Sequence, residues 1–257
     1  MSGLSENMMQ AIGWGEAIAD EKSGIVLHPI TIKNYEAYQA CKSALMIRQS
    51  TLPASYVSMP YLKAIYAFDS EHGFSLGLMR NILRVLAMAL HMPEDSFVVY
   101  VEKAKPEELA EIRCAENENC KIDSSTFNRI RKIICAQNGD ELPNESENIE
   151  LVEAERDIAM LNAAKLDYSF EKLLSSVAYQ YKLRPREMMD WTIREFENAK
   201  RAIDRDKGYM LCAQAENAGG KWKNGNPCPS WYADKKREGS IALEPLKDLA
   251  ARLQIKM

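Results

Sequence analysis

The chain has 257 residues, 46% hydrophobic and 27% charged, with 33 basic against 37 acidic side chains and a net charge of −4. That length buries a real core without help from disulfides or metal, the composition is that of a globular chain and not a disordered one, and the slightly acidic balance argues against a globally basic nucleic-acid binder. Three histidines, at 28, 72 and 91, are far apart in sequence and give little footing to acid–base or metal chemistry.

Residues 1–23 read as a flexible arm, with Gly3, Gly13 and Gly15 among few large apolar side chains. Its start has no basic stretch ahead of an apolar run, so no secretory signal is expected. Gly24-Ile-Val-Leu-His-Pro29 reads as a short strand that proline closes. Thr31 is a plausible N-cap, and Tyr35, Tyr38, Cys41, Leu45 and Met46 recur at helical spacing, which predicts a helix over 32–48. Pro53 breaks that pattern. A second helix follows with Tyr61, Leu62, Ile65, Tyr66 and Phe68, and His72-Gly73 makes a turn. Ser75 then opens a third helix through Met79, Leu83, Leu86 and Leu90, apolar on more than one face and therefore central.

Ser96-Phe-Val-Val-Tyr-Val-Glu102 is β-branched and aromatic and predicts a strand, with a return through 109–114 and 120–122. Asp123-Ser-Ser125 supplies caps for a helix carrying Phe127, Ile130, Ile133 and Ile134, stopped by Asn138-Gly139. From 141 to 157 seven acidic residues face a single arginine, which marks 140–157 as a linker or a solvated helix start. Helices are expected over 151–166 and through Phe170, Leu173, Leu174, Val177 and Tyr181. Another, opened by Pro185, presents Met188, Met189, Trp191, Phe196 and Ile203 and runs toward Gly208, with a bent continuation to Ala218. Gly219-Gly220 ends the helical pattern, 221–239 cannot be regular helix, and a short helix over 243–253 closes the chain. The fold class is mainly α with a small β element (α+β). Its parts are the arm, an α+β subdomain over 24–139, the acidic segment 140–157, a helical subdomain over 158–218 and an extended segment with a terminal helix over 219–257.

The six cysteines form no CxxC pair, and Cys114 and Cys120 lack the further ligands a structural zinc needs; no metal is expected, and the thiols are read as reduced and partly buried. No glycine-rich phosphate loop and no nucleophile elbow is present, and paired carboxylates such as Glu107-Glu108 are read as solvated helix faces. No catalytic residue, no cofactor and no enzymatic activity are therefore assigned. The longest apolar stretch, 85–92, is far short of the ~20 residues of a membrane span. The best binding candidate is the basic, aromatic segment of Trp222, Trp231, Tyr232, Lys235, Lys236 and Arg237. Aromatic anchors inside a charged rim suit a protein interface. The same interleaving also suits a single-stranded nucleic acid, a reading that the net negative charge disfavours. Thirteen methionines are read mainly as core, or as an adaptable groove for a partner.

Three further stretches carry a resemblance. Leu27-His-Pro-Ile-Thr-Ile-Lys-Asn-Tyr-Glu36 with Ile47-Arg-Gln-Ser-Thr-Leu-Pro53 and Met59-Pro-Tyr-Leu62, then Ile122-Asp-Ser-Ser-Thr-Phe-Asn-Arg-Ile-Arg-Lys-Ile133 with Cys135-Ala-Gln-Asn138, and finally Asn224-Gly-Asn-Pro227 with Pro229-Ser-Trp231, resemble proteins of the tail-gene clusters of phages and prophages of Gram-positive bacteria. The C-terminal helical part, with Leu183-x-Pro185 before Trp191, is similar in style to phage tail assembly chaperones. The resemblance implies a non-enzymatic assembly role in the cytoplasm of the bacterial host, with a tape-measure or baseplate component as partner. It leaves two alternatives open: a structural protein retained in the tail or baseplate, and a phage effector that binds host protein or nucleic acid.

Overall fold

The computed structural model describes residues 4–102, 105–115, 120–145, 148, 150, 154, 157–158, 169–222 and 225–233. Among these, eight α-helices accompany two small antiparallel sheets, the mainly helical α+β class expected from the periodicity. The chain forms two compact units, Met1–Asn198 and Ala199–Met257, each described by itself. Of the acidic segment 140–157, residues 146–147, 149, 151–153 and 155–156 lie outside the described residues, as does most of the helix expected over 151–166.

In the first unit the arm is not irregular throughout. Helix α1 (Glu6–Gly13) starts at Ser5, whose hydroxyl accepts the Met8 N–H at 3.3 Å, and it buries Ile12. A cap at Ser5 and apolar groups at 8, 9 and 12 are enough to hold two turns against a core. The strand expected at 24–29 shrinks to a two-residue pair, β1 (Ile18–Ala19) with β2 (Val26–Leu27). Its loop is closed by Asp20, which accepts the Ser23 N–H and hydroxyl at 3.0 and 2.6 Å and the Nε and Nη2 hydrogens of Arg129, each at 2.9 Å.

The helix expected over 32–48 is broken into a 3-10 turn (Ile32–Asn34), α2 (Tyr35–Cys41) and a second 3-10 turn (Lys42–Leu45). The break has a tertiary cause. The Ala44 carbonyl accepts the Tyr61 hydroxyl at 2.7 Å, and the Leu45 carbonyl accepts Arg131 Nε at 2.7 Å. In a continuous α-helix over 32–48 the Ala44 carbonyl would be engaged within the helix, whereas the Leu45 carbonyl, in the last turn, would need an outside partner in any case. After the single turn α3 (Ala54–Val57) come α4 (Tyr61–Glu71) and α5 (Leu78–Leu90). Helix α5 starts three residues later than expected from Ser75, because Gly77, at φ +66°, occupies its N-cap. It buries Met79, Ile82, Val85, Leu86 and Ala89, the spacing of one broad core face, and His91 in the left-handed region ends it.

Strands β3 (Phe97–Glu102), β4 (Lys105–Cys114) and β5 (Lys121–Ile122) form the expected antiparallel sheet, in register at Val99 with Ile112 and at Ile112 with Ile122. Asp123 caps α6 (Ser124–Gln137) by accepting the Thr126 N–H at 2.7 Å. Helix α6 packs against α1, α4, β2 and β5. Phe127, Ile130 and Ile134 are fully buried, and its polar side chains satisfy loop backbone that would otherwise be buried without partners. Gln137 donates to the carbonyls of Glu16 and Leu27, and Asn138, just past the helix, accepts the Ile30 N–H at 3.1 Å.

Helix α7 (Phe170–Tyr181) packs on the same region through Phe170, stacked on Tyr35 at 4.5 Å. Pro185 opens only a 3-10 turn (Pro185–Met188), and Trp191 lies outside the following helix. That helix, α8 (Ile193–Asn217), is set by a reciprocal cap. The Thr192 hydroxyl accepts the Glu195 N–H at 3.1 Å, and the Glu195 carboxylate accepts the Thr192 N–H at 2.7 Å. A bridge between Thr31 and Thr192 joins its start to the segment before α2. Among the described residues no helix is long and apolar enough to cross a membrane.

Candidate functional site

The second unit begins within α8, which runs unbroken through Gly208 to Asn217. The Gly220 N–H donates to the Ala215 carbonyl at 2.8 Å, and a Cβ at Gly220 would sit 2.7 Å from that oxygen; only glycine lets the chain turn this tightly there. The segment then folds back along the helix. Glu216 accepts Trp222 Nε1 at 3.0 Å and Asn226 Nδ2 at 2.9 Å. Further back, Cys228 lies against Gly208, where a Cβ would come within 3.0 Å of its sulfur, and against the Cys212 thiol, whose pKa is raised by burial and by this neighbour.

These contacts divide the predicted binding residues. Trp222 is partly used to hold the segment on α8 and is 38% exposed, whereas Trp231 and Tyr232, packed edge to face at 5.5 Å, are 60% and 72% exposed. Lys235, Lys236 and Arg237 lie outside the described residues. On α8 itself Met210 and Leu211 are exposed as well, so this unit presents aromatic and aliphatic side chains to solvent, a surface suited to protein contact.

A second feature was not legible in the sequence. In the first unit α4, the loop 72–77, α5 and β3 line an open pocket of about 550 Å3. Tyr66, Phe74, Met79, Leu83, Val99 and Val101 give it apolar walls, and Asp69, Ser75 and Arg80 add polar ones. Asp69 is fully buried. Its Oδ2 accepts the Met79 N–H at 2.8 Å, at the N-terminal turn of α5, where a carboxylate is favoured by the helix dipole. Its backbone carbonyl accepts the Phe74 N–H at 2.7 Å. Its Oδ1 has no hydrogen-bond partner. The loop it organises holds Gly73, Phe74 and Gly77 at φ between +56° and +66°. For phenylalanine that region is strained. The only sequence signal was the two glycines four residues apart.

Burial pushes the thiols of Cys41 and Cys120 up and that of Cys135 up to about 12, which suppresses the thiolate. His28 and His91 stack at 4.3 Å, and burial, then the charge of His91, lowers the pKa of His28. Among the described residues no three His, Cys, Asp or Glu side chains converge as metal ligands. No protein-family model, curated protein or solved structure matches the chain.

Proposed function

We propose that this chain is a non-enzymatic phage tail or baseplate assembly protein, a chaperone that shields apolar surface of a tail component in the cytoplasm of the bacterial host. The observation that carries the reading is the exposed aromatic pair Trp231–Tyr232 held out by a segment clipped to α8. Large rings ordered at a surface offer contact area at low entropic cost, the property that makes tryptophan and tyrosine frequent interface anchors. The sequence resemblance to tail-cluster proteins supplies the class of partner, a tape-measure or baseplate component.

The test is the fate of the protein during assembly. A chaperone is found bound to the component in the lysate and is absent from purified mature particles. Stoichiometric recovery with mature particles favours a retained structural protein. Retention on single-stranded DNA that falls steeply with salt, without binding to any tail component, favours the effector reading.

A further inference from the structure

We propose that Cys212 and Cys228 form a redox-sensitive clasp, a dithiol that glutathione disulfide oxidises to a disulfide bond, locking the segment that carries Trp231 and Tyr232 onto α8. The inference is independent of the assembly role. These are the only two cysteines of the second unit, and the fold brings them together. Gly208 is the single glycine of α8, and a glycine inside a helix weakens it. A Cβ there would lie 3.0 Å from the Cys228 sulfur and 3.8 Å from the Cys228 Cβ, so the returning chain fills the space that a side chain would take. Cys212 follows one turn later on the same face of the helix. It is buried although Tyr209, Met210 and Leu211 just before it are exposed, and its thiol is hydrogen-bonded to that of Cys228. Asn226 fixes the approach of the returning chain. Its Oδ1 accepts the Cys228 N–H at 2.8 Å, and its Nδ2 donates at 2.9 Å to Glu216, one turn beyond Cys212.

Exposure assigns the two sulfurs their roles. Of the six cysteines only Cys228 is not buried, so it is the sulfur that an oxidant reaches. Burial, and then the Cys228 neighbour, raises the Cys212 pKa, which leaves the first attack to Cys228. The Cys228 thiolate attacks one sulfur of glutathione disulfide, forming a mixed disulfide and releasing one glutathione, which takes up the proton that Cys228 lost. Cys212 then attacks the Cys228 sulfur and gives up its own proton to the second departing glutathione. Two electrons pass from the cysteine pair to glutathione disulfide, which leaves as two thiols, and a dithiol reductant runs the exchange backwards. An accessible thiol beside a resolving cysteine is the arrangement of redox-sensor cysteines. Cys114 and Cys120, neighbours across β4 and β5 through a 3.2 Å backbone hydrogen bond, are both buried and offer the oxidant no such entry.

The experiment exposes the reduced full-length protein to glutathione disulfide, quenches by alkylation, and maps the cysteines by mass spectrometry beside limited proteolysis within 219–233. The expected product is the intact chain lighter by two hydrogens, with Cys212 linked to Cys228 at least about tenfold faster than any other cysteine reacts. Cleavage within 219–233 slows at least about tenfold in this product, and dithiothreitol restores the original rate. Cys228→Ser forms no cross-link and is cleaved alike under both conditions. In Gly208→Val, where a side chain takes the place of the Cys228 sulfur, the glutathione adduct on Cys228 persists at least about tenfold longer. Should Gly208→Val not fold, the mapping and proteolysis of the native chain against Cys228→Ser still decide. Cross-linking of Cys114 with Cys120 or of any other pair first, an adduct on Cys228 that Cys212 leaves unresolved in the native chain, equal cleavage of the reduced and oxidised forms, or equally fast resolution in folded Gly208→Val overturns the proposal.

Discussion

Replacing Trp231 with alanine separates binding from folding, whereas replacing Trp222 does not. The Trp231 side chain is 60% exposed, which for a ring of up to ~250 Å2 leaves about 150 Å2 to bury against a partner. At ~25 cal/mol per Å2 that area is worth at most about 4 kcal/mol. Truncation of an anchoring tryptophan therefore weakens binding by about 2–4 kcal/mol, or at least roughly thirtyfold in Kd. Trp222 is held differently. Its indole N–H is bonded to Glu216 and its ring is more covered, so Trp222→Ala loosens the segment along α8 and lowers affinity indirectly. The assay is calorimetric titration of a tail component with each variant, alongside thermal melts and limited proteolysis of 219–233. The expected pattern is Trp231→Ala with unchanged melting and proteolysis but lost affinity, and Trp222→Ala with faster cleavage. Full affinity in Trp231→Ala, or a melting loss equal to that of Trp222→Ala, refutes the reasoning and makes the segment an internal clasp.

Other outcomes follow from the same geometry. Arg129 holds the Asp20 carboxyl down at about 2 from 3.8, equivalent to about 2 kcal/mol at ~1.36 kcal/mol per pKa unit. This stability is present above about pH 4 and lost as pH falls toward 2; the Ser23 hydrogen bonds supply part of it, so a double-mutant cycle of Asp20→Asn with Arg129→Met at pH 7 gives a coupling of about 1–2 kcal/mol, and a coupling near zero contradicts it. Burial, and then the charge of the stacked His91, lowers the pKa of His28. Below about pH 6.5 the unfolded chain takes up that proton first, so stability falls with pH in the window down to the lowered value, and urea midpoints at about pH 5 and 7 show a smaller fall for His28→Phe than for the native chain. Thr192→Ala removes one half of the reciprocal cap of α8 and costs about 1 kcal/mol in denaturant unfolding. Gly220→Ala drives a methyl into the Ala215 carbonyl and increases proteolysis at 219–233 without altering the far-ultraviolet signature of the first unit.

The elements that sequence reading located well are those whose signal is local. The α5 periodicity, the β3 strand, the Asp123 cap and the Asn138-Gly139 stop each lie within a few residues and meet their expected roles. The reading was wrong where distant groups decide. The helix expected over 32–48 gives way near its end, where the distant Tyr61 hydroxyl claims the Ala44 carbonyl that a continuous helix would have used. Pro185 predicts too early a start for α8, whose first turn is set instead by the Thr192-x-x-Glu195 capping box, a local signal that the helical spacing alone does not weigh. In the candidate sites, the aromatic segment was visible from composition, but its attachment through Glu216 and Cys228 needs the chain to double back on α8. The pocket joins Asp69 to Val99 and Val101 across two helices, and no local pattern announces such a juxtaposition.

The central claim is that Trp231 and Tyr232 cover apolar surface on a tail component. Its most direct measurement is co-expression of the full chain with a phage tape-measure or baseplate protein, followed by the soluble fraction and size-exclusion profile of that component. The account predicts that the component is soluble and comigrates with the native chain, and aggregates when the chain carries Trp231→Ala with Tyr232→Ala. Equal solubility of the component with the native chain, with the double variant and with no chain at all would contradict it.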